Sequence, residues 1–287
     1  MKTLPVAFAL LLCAAPLAAH ERTSVTIADL DRRIAARPLD AGLRMQRGEM
    51  HRMAGDRDRA RRDYELSLRL DPGLTAVHLC EGRLWMDEGL PARALPALDR
   101  YIASHPADPA GRMVRARALA LLGRHADAAA EFARVIALED SAKRLPQPDL
   151  YLESARALIA ADGGNRPAAL ELLEDGLRRL SRPVALEVEA LAIEQSLGRT
   201  DAALARLDRL LGAAARKESF LVRRAEILEQ AGRLAEAERS WREASSALDR
   251  LPESRRNSPA LVAMKQTVAA ALKRLPLQAP AAAEGAP

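Results

Sequence analysis

Apolar positions recur along this chain on two scales. In residues 24–37, Val25, Ile27, Leu30 and Ile34 fall at near-helical spacing and Pro38 stops the run, which predicts one amphipathic helix. Beyond it, large apolar residues return at a much longer interval: Tyr64, Leu98, Phe132, Leu173, Leu207 and Trp241 each stand nine positions after a glycine. Residues 75–108 show the unit in full. It reads as two short helices joined by a tight turn at Gly89, with small residues at Gly82 and Ala94 and a closing Pro106.

The period comes from the turn glycines Gly55, Gly89, Gly123, Gly164, Gly198 and Gly232. Their successive gaps are 34, 34, 41, 34 and 34 residues, so seven residues are inserted after the third unit. Five positions after each glycine stands an alanine: Ala60, Ala94, Ala128, Ala169, Ala203 and Ala237. Seven positions before it stand Gly48, Gly82, Ala116, Ala157, Leu191 and Ala225, all small except Leu191. A small residue in the first helix and an alanine in the second let the two helices approach, and a larger side chain there overpacks at a cost of about 1–3 kcal/mol. The glycine closes the first helix in a left-handed conformation that other residues enter at a cost of about 1–2 kcal/mol. The large residue further on is expected to fill the space against the next repeat. One such hairpin cannot bury its own apolar face, so neighbours stack on it.

These residues resemble the tetratricopeptide repeat family. The resemblance rests on Gly48, Gly55, Ala60, Tyr64 and Pro72 in residues 41–74, on Gly82, Trp85, Gly89, Ala94 and Pro106 in 75–108, and on Ala225, Gly232, Ala237 and Trp241 in 218–251. The chain departs from the family pattern where Arg44, His78 and Arg112 replace an early tryptophan. It departs again where Leu191 and Glu194 replace a small residue and an aromatic. The resemblance implies an all-α, right-handed superhelical solenoid of about six two-helix repeats. Those repeats are 41–74, 75–108, 109–142, 150–183, 184–217 and 218–251, with the insertion at 143–149. A leading helix is expected within 20–40 and a capping helix within 252–275, where Ser258 is the cap and Pro259 the first-turn proline. Pro91 fits the opening of a second helix, and Pro96, a turn further in, predicts a local kink. The two prolines of 143–149 make that segment extended.

Alanine, leucine and arginine dominate, and the net charge of +5 comes from interleaved acidic and basic residues. That describes solvated helical faces rather than the basic, aromatic-studded stripe of a nucleic-acid binder. Residues 1–19 read as a secretory signal: Lys2, an apolar run from Leu4 to Leu12, and a small-residue exit at Ala18 and Ala19. Its removal takes Cys13 and leaves Cys80 as a lone, structural thiol. The mature chain then starts at His20, localises to the periplasm or outside the cell, and has no membrane span. Residues 276–287, rich in alanine and proline, are expected to be disordered.

His51, His78, His105 and His125 fall at four different places in the repeat. Gly163-Gly164 is flanked by helix, and neither a metal spacing nor a nucleophile with its base is present. The expectation is therefore a non-catalytic protein without cofactor or metal. In the resembling family the first helices line a concave groove for an extended peptide or a partner helix. Carried onto this sequence, the groove positions that promise contact are Met45, Arg52, Leu79, Arg83, Met86, Met113 and Arg117. Methionines adapt to varied apolar ligands and arginines favour carboxylates, so the implied partner is a protein or peptide with apolar and acidic residues. The reading is a scaffold or adaptor in a bacterial-type cell envelope. The alternatives are a chaperone or accessory factor for an exported enzyme, metal handling through His20, and self-assembly through the repeat faces.

Overall fold

The computed structural model describes residues 26–161, 163–256 and 258–275, and these are all-α. The signal reading at 1–19, His20, the first residues of the leading helix and the tail at 276–287 lie outside the described residues. The chain divides into two compact units, the first ending at Val77 and the second beginning at His78.

The first unit holds α1 (Ile27–Ala36), α2 (Ala41–Met53) and α3 (Arg57–Leu70). Each starts on a side chain that takes an otherwise unpaired backbone N–H: Thr26 with Asp29 in a reciprocal capping box, Asp40 for Leu43, and Asp56 for Arg59. Leu30 and Ile34 of α1 bury against Leu43 of α2, and the Ser67 hydroxyl of α3 donates to the Ala41 carbonyl at 2.7 Å.

The second unit holds all but the first two residues of α4 (Ala76–Asp87), then α5 (Pro91–Ser104), α6 (Pro109–Leu121), α7 (His125–Ser141), α8 (Pro148–Ala160), α9 (Arg166–Arg179) and α10 (Val184–Ser196). It continues with α11 (Thr200–Ala213), α12 (Glu218–Gln230), α13 (Leu234–Asp249), α14 (Glu253–Arg256) and α15 (Pro259–Arg274). From α5 to α13 each helix packs on its successor, and α15 packs on α13. Core clusters follow one another along the unit, from Leu79, Ala94, Leu98 and Tyr101 to the cluster that joins Trp241 with Val268 and Ala271 of α15.

All six turn glycines have positive φ, between 54° and 81°. In five turns the residue after the glycine donates to the carbonyl five positions back, as Asp56 does to His51 and Leu90 to Trp85. The fourth turn is wider: Gly163 and Gly164 are both left-handed and Asn165 reaches back to Leu158.

The large residue nine positions on fills the space against the next hairpin, as Phe132 does with Leu150 and Ala157. Tyr64 and Leu98 also pack back over the small residue of their own hairpins. A Cβ on Gly48 would stand 2.6 Å from the Tyr64 ring, and one on Gly82 would stand 2.5 Å from Leu98. The seven-residue insertion is spent differently from expectation. α7 runs on to Ser141, Lys143 turns left-handed at φ 55°, and Pro148 already opens α8. Its fixed φ and missing N–H suit the first turn of a helix, so the second proline of the insertion starts a helix instead of extending a loop. Pro91 and Pro259 stand at helix starts in the same way, with the Ser258 hydroxyl accepting from Leu261 N–H, while α5 continues through Pro96.

Candidate functional site

A second buried layer lies between the helices, and it is polar. Eight positions after the turn glycine stand Asp63, Glu131, Arg206 and Ser240, all buried. In three hairpins the partner is an arginine eight positions before the glycine. Arg47 grips both Asp63 oxygens at 2.6 and 2.8 Å, Arg115 lies 3.2 Å from Glu131, and Arg224 donates to the Ser240 hydroxyl at 2.8 Å. In the fifth hairpin the charges are reversed. Arg206, 1% exposed, donates to Glu187 at 2.5 Å, to Glu194 at 2.7 and 2.9 Å, and to Glu174. Burial opposes its charge, but the three carboxylates more than offset that and hold its pKa above the ordinary arginine value. Glu194 therefore stands where the family has an aromatic because it answers Arg206.

A further lock joins α5 to α6. Asp108 caps α6 through Ala110 N–H at 2.9 Å and accepts from the Tyr101 hydroxyl. Burial pushes the Tyr101 phenol up to about 12, and the bond to Asp108 adds to this. Burial alone would raise the Asp108 carboxyl, but the Tyr101 hydroxyl, Ala110 N–H and nearby His105 and Arg83 hold it below its ordinary value.

The surface feature with the chemistry of a binding site is an apolar pocket of about 460 Å³ on the second unit. Met86 of α4, Ala120 and Leu121 of α6, Phe132 of α7, and Ala157 and Ala160 of α8 supply its apolar walls. Polar groups stand at its edge: His125, Arg156, and Arg117 bound to Glu153 through two bonds of 2.8 Å. First helices of successive hairpins are joined by such rungs, Arg117 to Glu153, Arg156 to Glu189 at 3.0 Å, and Arg223 to Gln195 at 2.5 and 3.0 Å.

Of the seven groove positions, Met86 and Arg117 line this pocket. Leu79, 8% exposed, packs with Ala94, Leu98 and Tyr101, and half-buried Met113 packs against the cluster around Leu119 and Phe132. Arg83 sits on α4, and its charge acts on Tyr101 and Asp108. Met45 and Arg52 belong to the first unit, where Arg52 holds Glu49 at 2.7 and 3.0 Å and Glu49 also accepts from the Tyr64 hydroxyl at 2.8 Å. The periodicity picks out Phe132 as a packing position and does not reveal Leu121, His125 and Ala160. They reach the pocket because α7 and α8 fold beside α6, although the exposed apolar Leu121, two positions before a turn glycine, is itself a signal. Among the described residues no group of three His, Cys, Asp or Glu side chains is placed to hold a metal ion. No described helix is long and apolar enough to cross a membrane.

The tetratricopeptide repeat family profile matches residues 81–143 and 193–250, and the chain is a tetratricopeptide repeat protein. No curated protein matches it in sequence. Among solved structures, it is similar to MamA protein at 21% identity and a TM-score of 0.53, over 60% of this chain and 91% of that one. It is similar to PilW, described as a widely conserved type IV pilus biogenesis factor, at 18% identity and a TM-score of 0.55, over 68% and 88%. It is also similar to YrrB, described as a tetratricopeptide repeat protein with an unusual peptide-binding site, at 14% identity and a TM-score of 0.54, over 65% and 93%. These likenesses are of fold. Tetratricopeptide repeat proteins are protein-interaction scaffolds, generally without catalysis, that bind protein or peptide partners.

Proposed function

We propose that this chain is an adaptor of a bacterial-type cell envelope that binds a peptide or helix of a partner in the pocket over α4, α6, α7 and α8. The apolar pocket carries the reading, because a concave apolar surface with a few polar groups at its edge suits a side-chain anchor. YrrB, of like fold, has a peptide-binding site, which supports the same use here. The acidic preference drawn from Arg117 changes in form. Its guanidinium is already paired with Glu153, so a partner carboxylate has to displace that residue, whereas Arg156 has a single bond to Glu189 and lies open. The anchor is therefore chiefly apolar, with any acidic residue directed at Arg156.

Peptides selected from a random library on the full chain should carry two or more large apolar side chains. Leu121→Glu, at a position 68% exposed, should weaken the best of them at least about tenfold with the helical spectrum unchanged. Equal binding by Leu121→Glu would remove the pocket from the account. Export is the second part of the proposal, and it rests on the pattern of Lys2, the run from Leu4 to Leu12, and Ala18 and Ala19. Mass spectrometry of the chain recovered from its native envelope should find His20 at the amino end. An intact chain starting at Met1 in the cytoplasmic fraction would end that part.

A further inference from the structure

The first unit has its own cleft, of about 320 Å³, bounded by α1, α2 and α3. On α2 it is lined by Arg47 and His51, one turn apart. At 100° per residue that pair faces away from Met45, Glu49 and Arg52, so the cleft lies on the side of α2 opposite the groove positions. Its lining is polar where the pocket of the second unit is apolar.

Three observations give the cleft a ligand chemistry. First, its carboxylates are already answered: Arg47 takes both oxygens of Asp63 and reaches Asp31 at 2.7 Å. Second, Arg59 and Arg62 of α3 add two more guanidinium groups, so arginines exceed carboxylates in the lining by three to two. Arg59 has a single contact of 3.3 Å to Asp56. Arg62 has only a bond of 3.3 Å to the Asp58 carbonyl and, among the described residues, no carboxylate partner. Third, His51 is 6% exposed, lines the cleft, and its imidazole makes no hydrogen bond among the described residues. Its ring nitrogens are open to the cleft, so a ligand oxygen seated there can bond to the imidazole.

We propose that this cleft binds a small phosphate monoester, with its phosphate between Arg59, Arg62 and His51. A tetrahedral group with three terminal oxygens can meet donors arriving from α2 and from α3 at once, which a planar carboxylate with two oxygens does less well. The burial of His51 favours a soluble ester over a headgroup held at a membrane surface.

Calorimetric titration of the full chain with glycerol 3-phosphate, at fixed ionic strength, tests the site. Saturable one-to-one binding is expected. It should weaken about tenfold in Arg62→Gln and again in the Arg59→Gln, Arg62→Gln double variant, both of which change exposed side chains that leave the fold intact. Inorganic phosphate should compete more weakly than the ester, and vesicles carrying phosphatidic acid should not retain the chain. Absence of saturable binding, unchanged binding by the double variant, or an equal loss in the remote surface variant Arg242→Gln would overturn the proposal. So would retention by the vesicles with no binding of the soluble ester. None of these outcomes bears on the peptide pocket, which Leu121→Glu reads separately.

Discussion

Arg206→Met is expected to lower the stability of the second unit by about 3–5 kcal/mol. The side chain fits the space, so the loss is electrostatic. Glu187 and Glu194 are buried beside it, and without the guanidinium two carboxylates face one another in a medium that cannot solvate them. Arg182, 2.6 Å from Glu187, answers part of that charge and leaves Glu194 with none of it. Urea unfolding followed by circular dichroism measures the change. Adding Glu194→Gln to Arg206→Met should recover a substantial part, because it removes the stranded charge and keeps the shape. A loss no larger than that of Arg242→Met on the surface, or no recovery in the double variant, would show that the cluster is a minor contributor.

Trp241→Ala is expected to cost about as much, roughly 3–5 kcal/mol, through the cavity it leaves. The indole is 2% exposed among Ala225, Ala237, Ala244 and Leu248, and its Nε1–H donates to Glu229 at 3.2 Å. Glu229 also accepts from Arg274 of α15, so loss of the indole loosens the terminal helix as well. Trp241→Phe keeps most of the volume and should cost less than about 1.5 kcal/mol. The same unfolding measurement separates the two variants. Near-equal losses would mean that the hydrogen bond, and not the packed volume, is what matters.

The glycine turns were legible in the sequence because their constraint is local: a left-handed residue excludes most side chains wherever it occurs. The small positions were legible for a similar reason, since Gly48 and Gly82 have no room for a Cβ. What escaped is the polar position eight after the glycine. Its side chains differ in type from hairpin to hairpin, and an aspartate, a glutamate, an arginine and a serine do not register as one motif until their partners are seen. The pairing of Asp63, Glu131 and Ser240 with an arginine at the mirrored distance before the glycine was nevertheless present in the spacing. Arg206 was harder to find, because its partners come from α9 and α10 and obey no single offset. The site was legible only in part. Met86, Arg117 and Phe132 follow the repeat, whereas Leu121, His125 and Ala160 join them through the stacking of α6, α7 and α8.

The rungs between first helices set a mechanical property of the second unit. Arg117 with Glu153 and Arg156 with Glu189 are at least partly open to water, so salt at physiological strength screens them over about 8 Å. The apolar seams beneath do not weaken in that way, since they depend on area removed from water. Rising ionic strength therefore softens the side-to-side coupling of successive hairpins while leaving each hairpin intact. The face that carries these rungs loosens before the apolar seams do, and the flexibility of the array is set by its ionic surroundings as much as by its sequence.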